Sequence, residues 1–365
     1  MSNSTKSKLL KAITIIAATY LFLLSIKLLG HSFKLFGQDF AEAMIEMTSN
    51  PFAGLIIGIV ATSLIQSSST TTSIVVGLVA GGILELGGAI PIIMGANIGT
   101  TITNTLVSLG HMSNRIEFKR AFSAGIVHDF FNICVVIVLF PLELKFHFIE
   151  DTAILLGNGF FGAGGLKLFN PLKYILEPVI KFISVLFTFL PYMEILMMIF
   201  SIILMFTALI FLIKSIRSLV LTQIEIIIDR YLFRNDVLGF LLGILMTAVV
   251  QSSSVTTSLI IPLAGAGLVA LRKIFPYTLG ANIGTTVTAI LAAMATQHEV
   301  AITVAFAHLV FNIFGILIFY PLKFIPIGLA EYVGERASKS TRNLVVFTVV
   351  YILLYFVPIA LIFLV

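Results

Sequence analysis

The chain has 365 residues, of which 59% are apolar and 11% charged, against about 45–50% and about 25% in soluble domains. With 22 Lys and Arg, 17 Asp and Glu and a mean hydropathy of +1.11, it has too little charge to coat a soluble surface of its size. The solvent is therefore a bilayer, which excludes most soluble enzymes and nucleic-acid binders. A single cysteine, Cys134, excludes an intramolecular disulfide, and the sequence offers no Cys/His cluster for zinc or iron–sulfur.

A membrane span needs about 20 apolar residues. Stretches of that kind predict seven crossings: Ala12–Leu29, Ala89–Leu109, Ala121–Leu142, Ile195–Ile213, Ile274–Gln297, Val300–Leu322 and Leu344–Val365. The first follows Lys6, Lys8 and Lys11 and lacks an A-x-A site, so it reads as a retained span rather than a signal peptide. His31–Thr48 and Arg217–Arg234 mix charges with apolar residues and are predicted as interfacial amphipathic helices. Pro171–Leu190 carries Lys173, Glu177, Pro178 and Lys181, too polar for a span, and is expected to lie along the interface.

An internal repeat is the strongest feature. Gln66-Ser67-Ser68-Ser69 returns as Gln251-Ser252-Ser253-Ser254, and Gly95-Ala96-Asn97-Ile98-Gly99-Thr100-Thr101 returns, at the same offset, as Gly280-Ala281-Asn282-Ile283-Gly284-Thr285-Thr286. A third block, His128-x-x-Phe131-Asn132 with Pro141-Leu142, matches His308-x-x-Phe311-Asn312 with Pro321-Leu322. The expected organisation is a single transmembrane domain over 1–365: repeat one about 10–142, a connector 143–194, repeat two about 195–322 and a C-terminal span about 344–365. Three predicted crossings separate the starts of the two copies, and an odd number inverts the second.

Charge placement agrees under the positive-inside rule. Lys6, Lys8, Lys11, Arg115, Lys119, Arg120, Lys214, Arg217, Arg230, Arg234, Arg272, Lys273, Lys323, Arg336, Lys339 and Arg342 all fall on one side, the cytoplasmic one. Asp39, Glu42, Glu46, Glu85, Glu143, Glu150 and Asp151 fall mostly on the other. The N-terminus is then cytoplasmic. Inverted repeats with a midplane site are a recurring plan of secondary transporters.

From Pro51 to Ile83 there is no charged residue and no histidine. Pro51–Ile65 is only about 22 Å long as a helix, too short to cross. It runs into Gln66-Ser67-Ser68-Ser69-Thr70-Thr71-Thr72-Ser73, an unbroken run of hydrogen-bonding side chains, and then a second apolar stretch. This predicts a re-entrant hairpin with a polar tip at membrane depth, tolerated only where protein or a water-filled cavity satisfies its backbone. Gly239–Gly267 repeats the design. Free N–H groups at a helix start make an anion site, while Gln, Asn and Thr oxygens suit a hard monovalent cation. The Gly-Ala-Asn-Ile-Gly-Thr-Thr blocks are expected to bend and expose further carbonyls.

Taken singly, Ser and Thr in a span are usually packing residues, and Gly54 and Gly58 read as helix contacts. His128 and His308 read as structural hydrogen-bonding residues rather than proton carriers. Asp129, whose matching position is Leu309, is an intramembrane acid and so a functional candidate. Asn3-Ser4-Thr5 fits a glycosylation pattern but falls on the cytoplasmic side. No nucleophile-elbow spacing supports hydrolase chemistry, and the chain is read as a non-enzyme.

In these residues the chain resembles the type II sodium/phosphate cotransporter family, whose hallmark is paired Q-S-S-S motifs in inverted repeats. The likeness extends through Pro91–Thr105, Glu117-Phe118-Lys119-Arg120-Ala121-Phe122 and His128-Asp129-Phe130-Phe131-Asn132. It implies an all-α polytopic membrane protein that imports inorganic phosphate with sodium by alternating access in the plasma membrane. Na+ is then the coupling ion, with no organic cofactor. Membrane lipid and a homo-oligomer fit as partners, nucleic acid does not. The resemblance places the substrate region at Gln66, Ser67, Ser68, Ser69, Asn97, Thr100, Gln251, Ser252, Ser253, Ser254, Asn282 and Thr285. Within it we assign Ser67–Ser69 and Ser252–Ser254, with Arg120, to phosphate. Gln66, Asn97, Thr100, Gln251, Asn282 and Thr285 are assigned to sodium. The chain departs from animal members in lacking their large disulfide-bonded loop and in carrying Asn114 where electrogenic members have Asp, which puts a third sodium in doubt. Other readings are a carrier of another oxyanion or organic anion, and an anion channel.

Overall fold

The computed structural model describes residues 3–37, 42, 45–46, 48–162, 170–231, 235–340, 342–343, 345–347, 349–350 and 353. Among these the regular structure is entirely helical: α1 Asn3–Leu35, α2 Pro51–Ile65, α3 Ser68–Ala80, α4 Leu86–Gly99, α5 Ile102–Leu109, α6 Arg115–Phe146, α7 Phe148–Gly162 and α8 Asn170–Phe187. The chain continues with α9 Met193–Tyr231, α10 Asp236–Val250, α11 Ser253–Ser258, α12 Ile261–Gly265, α13 Leu271–Thr296, α14 Glu299–Phe319 and α15 Phe324–Ser338.

Among the described residues, six helical stretches are long and apolar enough to cross a membrane: Ile13–Leu35, Leu86–Leu109, Arg115–Phe146, Met193–Leu212, Leu271–Thr296 and Glu299–Phe319. They coincide with six of the seven expected crossings. The seventh, Leu344–Val365, lies mostly outside the described residues. The protein is therefore a helical, multi-pass membrane protein.

The boundaries follow local chemistry. Asn50 and Asn235 accept the N–H groups of Phe52 and Leu238 and so start α2 and α10, and Pro51 adds a preset φ to the first. Asn114 caps α6 by accepting from Ile116 and Glu117. At the corner between α6 and α7, His147 turns left-handed and the buried Glu143 carboxylate accepts the N–H groups of Ile149 (2.7 Å) and Glu150 (3.2 Å).

Two expectations need correcting. His31–Leu35 continues α1 instead of starting a separate interfacial helix, because Leu28, Leu29 and Phe33 keep burying one face past Lys27, against Ile83 among others. Most of the rest of that segment lies outside the described residues. Arg217–Tyr231 likewise runs on unbroken from the fourth span as part of α9. No proline or glycine interrupts Met193–Tyr231, so backbone hydrogen bonding simply continues. Most of Pro171–Leu190 falls in α8 (Asn170–Phe187), which buries Leu176 and Ile180 while Tyr174, Phe182 and Leu186 stay exposed.

The interior is built on two close helix pairs. The first hairpin arm, α2, lies along α4, and the matching arm of the second copy, α10, lies along α13. Both pairs approach backbone to backbone. A Cβ placed on Gly58 would overlap the Ile92 carbonyl, and one on Gly95 would overlap that of Leu55. In the second pair Gly243 faces the Tyr277 carbonyl and Gly280 that of Phe240. The expected packing role of Gly58 is met, but the glycines flanking Asn97 and Asn282 prove to be contact points as well.

At the loop-side end of α10, outside the six spans, Asp236 ties three elements together. It accepts from Lys323 (2.8 Å), Lys273 (3.2 Å) and the Tyr320 hydroxyl (3.2 Å). The Lys323 hydrogen bond holds the Asp236 carboxyl below its usual range. A carboxyl depressed in the folded state stabilises above its unfolded pKa and loses that contribution as pH falls through the folded value. Asp236→Asn should therefore lower stability at pH 7 by no more than about 1 kcal/mol, because the ion pair is partly exposed, and this is read as a small drop in the thermal midpoint in detergent. The gap to wild type should begin to shrink below about pH 4 and close once pH falls past the depressed folded-state value; a gap independent of pH in acid would contradict the ionic account.

Candidate functional site

The polar tips form at two chain reversals of the same shape. Gln66 ends α2 in the left-handed region (φ 57°, ψ 28°) and Gln251 ends α10 likewise (φ 56°, ψ 29°). Each donates its backbone N–H to a threonine carbonyl one turn back, Thr62 at 2.7 Å and Thr247 at 2.6 Å. The next residue is the N-cap of the following helix: the Ser67 hydroxyl accepts from the Thr70 N–H at 3.2 Å, and that of Ser252 from the Val255 N–H at 3.3 Å. A helix C-terminus and a helix N-terminus thus meet at each tip. Orphan carbonyls and orphan N–H groups point into the same region.

The two tips belong to one buried polar centre. Ser68, Ser69, Ser253 and Ser254 are all at most 5% exposed. The Ser69 hydroxyl donates across the repeats to the Gln251 carbonyl (3.4 Å), and that of Ser254 to the Thr100 carbonyl (3.1 Å). Behind them the Thr257 hydroxyl exchanges hydrogen bonds with the Asn104 side chain at 2.8 and 3.0 Å. Tyr277 donates to the Thr256 carbonyl at 3.2 Å.

The Gly-Ala-Asn-Ile-Gly-Thr-Thr blocks are placed differently in the two copies. In the first, the helix breaks after Gly99, and Thr100 and Thr101 lead into α5. This is the bend expected from the sequence, and the Thr100 carbonyl turns to Ser254. In the second, α13 runs straight through Asn282, Gly284 and Thr285, so the expected bend is absent there. Helical i to i−4 bonding continues through the block, and the Thr285 hydroxyl also bonds the Ala281 carbonyl (3.0 Å). Asn282 is held on both sides: its Oδ1 meets His128 Nε2 at 2.5 Å, and its Nδ2 donates to Asn132 Oδ1 at 2.8 Å. Asn97 instead turns its Nδ2 back to the Ile93 carbonyl (3.0 Å).

Of the residues chosen from the sequence, Ser69, Ser254, Gln251 and Thr100 come together directly, and Asn97 and Asn282 join through Asn132, which donates to the Asn97 carbonyl at 2.7 Å. Gln251 Oε1 is a buried acceptor with no hydrogen-bond partner. Arg120 stands apart: it is exposed, and its guanidinium lies over Gly267 at the far end of the second hairpin. There it lines a 550 Å³ cavity with Lys119, Ser123, Glu331 and Glu335. Asp129 is buried beside an apolar cavity lined by Ile59, Phe122, Ile126 and Val333. Sequence reasoning left Asn104, Asn132, Asn312 and Thr257 out of the site. The third repeated block did carry the signal for Asn132 and Asn312.

Six helical stretches long enough to cross a membrane, with two polar chain reversals joined in a buried hydroxyl- and amide-rich centre among the described residues, define a helical multi-pass membrane protein. The profile of the Na+/Pi-cotransporter family matches residues 21–168 and 203–324. Over 96% of its length the chain is 35% identical to the sodium-dependent phosphate transport protein 2A of Rattus norvegicus, and over 95% it is 36% identical to that of Ovis aries. It is 32% identical to the sodium-dependent phosphate transport protein 2B of Homo sapiens over 96% of its length. The chain spans 66% of the rat and sheep proteins and 65% of the human one. No solved structure matches it. The chain belongs to the Na+/Pi-cotransporter family.

Proposed function

We propose that this chain is a sodium-coupled symporter that imports inorganic phosphate across the plasma membrane by alternating access, with its N-terminus in the cytoplasm. The observation that carries this reading is the joining of two polar hairpin tips, free of ionisable side chains, in one buried centre through Ser69 and Ser254. Two helix starts with serine hydroxyls attract an anion, and unpaired oxygens such as Gln251 Oε1 attract a hard cation. In a site with no fixed charge of its own, the two cargoes neutralise each other. That is a physical basis for obligatory coupling.

Ser67–Ser69 and Ser252–Ser254 are assigned to phosphate. Gln66, Gln251, Asn97, Asn282, Thr100 and Thr285 are assigned to sodium. Arg120 then serves the cytoplasmic mouth. Three candidate spans, Leu86–Leu109, Arg115–Phe146 and Met193–Leu212, separate the two hairpins. The odd number supports entry of the hairpins from opposite faces and an inverted-repeat carrier.

The test is uptake of labelled phosphate by the purified chain in sealed vesicles, at clamped membrane potential, with an inward sodium or an inward potassium gradient. Sodium should raise initial uptake by about ten-fold or more, and uptake should saturate with phosphate. Equal rates in the two gradients would sink the proposal. Unlabelled sulfate and carboxylates should compete poorly.

A further inference from the structure

The two copies of the third repeated block are not used alike. His128 and Asn132 clamp Asn282, with Nε2 of His128 on the amide oxygen and Oδ1 of Asn132 on the amide nitrogen. The equivalent clamp in the other copy would be His308 and Asn312 on Asn97. Those partners are present but idle. Both ring nitrogens of His308 and Oδ1 of Asn312 are buried without a hydrogen-bond partner, on side chains 0% and 1% exposed. Meanwhile Asn312 Nδ2 donates to the Asn282 carbonyl (3.4 Å), as Asn132 does to the Asn97 carbonyl (2.7 Å). The backbone half of the arrangement is therefore symmetric and only the side-chain clamp is one-sided.

The helices needed for the second clamp are already in contact. α14, which carries His308, packs on α4, which carries Asn97, just as α6 packs on α13. The idle atoms, His308 Nε2 and Asn312 Oδ1, are those Asn97 would take if it did what Asn282 does. Each buried polar group left without a partner costs about 1–3 kcal/mol, a cost that a conformation filling this second clamp would remove. A backbone difference accompanies the one-sided clamp. Where the helix is continuous, at α13, the Asn is clamped. Where it breaks, after Gly99, Asn97 bonds to its own helix and the freed Thr100 carbonyl takes the Ser254 hydroxyl.

We infer that His128 and His308 are paired positioning residues that take turns: His128 holds Asn282 in this conformation, and His308 holds Asn97 in the opposite-facing one. The exchange couples a break in one helix to the hydroxyl contact of the opposite tip, since the Thr100 carbonyl that takes Ser254 lies at the break after Gly99. In the exchanged state Ser69 stands to Thr285 as Ser254 now stands to Thr100. This inference rests on the alternating-access reading of inverted repeats, but not on which solutes are carried.

Distance measurements between spin labels on the full chain in vesicles test it, in a Cys134→Ser background. One pair, Glu85→Cys with Val300→Cys, reports one face, and Met112→Cys with Val237→Cys reports the other. His308→Ala should shift the ratio of the two conformations about five-fold toward the present one, the size of one net hydrogen bond. His128→Ala should shift it by a similar factor the other way. Asn97→Ala should match His308→Ala, and the two combined should go no further than either alone. His308→Gln, which keeps a donor, should restore much of the wild-type ratio. Shifts in the same direction for both histidines, no shift, or multiplication of the Asn97 and His308 effects would overturn the exchange. If His308→Ala is not recovered folded, Asn97→Ala against His128→Ala decides the sign. The populations are read without sodium or phosphate. Failure of the transport proposal therefore appears separately, as sodium-independent uptake.

Discussion

Gly95→Ala and Gly280→Ala are each expected to abolish transport and to cut the yield of folded protein. Helix propensity alone gives the opposite expectation, since alanine in place of a mid-helix glycine favours the helix by about 1 kcal/mol. Here the new methyl would strike the Leu55 or the Phe240 carbonyl, a backbone atom of an apolar hairpin arm that cannot rotate away. Relief requires the arm to move off its partner helix, and strain of that kind in a packed interior typically costs about 1–3 kcal/mol. The neighbouring contacts leave no room for that movement: a Cβ on Gly99 would lie 2.5 Å from the Ile59 carbonyl, and one on Gly284 would lie 2.7 Å from that of Ile244. Contact outweighs propensity. Gly328→Ala in α15 is the control, because nothing lies within 4 Å of its added Cβ. It should be neutral or slightly stabilising. Thermal midpoints in detergent and uptake in vesicles measure both, and a stable, active Gly95→Ala would refute the close-contact account.

The second large effect is expected at the hairpin tips. Gln66→Ala and Gln251→Ala should each reduce sodium-driven phosphate uptake by more than ten-fold, as loss of a cation ligand from a shared site would. A glycine at the same positions separates side chain from backbone. Both glutamines have left-handed φ near 57°, a region that favours glycine. Gln251→Gly should therefore keep or slightly raise stability, by about 1 kcal/mol, and still lose uptake. If Gln251→Gly transported at the wild-type rate, the residue would matter only as a chain reversal. The carboxamide would then have no part in binding. Raising external sodium should partly recover uptake in the glycine variants if the carboxamide binds the cation, and raising phosphate alone should not.

Much of this architecture was legible in the sequence because a bilayer imposes strong local rules. Hydrocarbon thickness fixes the length of a span, so apolar runs such as Ala121–Leu142 and Val300–Leu322 identified helices that the structure contains. Where those rules do not apply, sequence and structure diverge. The helices α1 and α9 run on past the ends that their charged residues suggest, because charges at the end of a span look interfacial in sequence. Whether the helix stops there depends on burial of the opposite face, as Phe33 against Ile83 shows.

The candidate site divides in the same way. Gln66–Ser69 and Gln251–Ser254 announced themselves by repetition and by eight polar side chains in succession at the first tip, a pattern visible without coordinates. Asn132 and Asn312 were visible as repeats, but their contacts with the Asn97 and Asn282 carbonyls were not. Those contacts join helices far apart in the chain, and sequence carries no signal for how far apart two such helices pack.

By itself, then, the sequence determined the solvent, six of the spans and the repeated polar motifs, because each is a local consequence of composition and spacing. Only the tertiary structure decided how the repeated motifs differ. One helix breaks after Gly99 while its twin runs on through Gly284, and His128 is engaged while His308 is idle. Near-identical motifs have near-identical local preferences. What separates them is the packing of one half against the other, and that packing holds only one of the two Asn clamps closed.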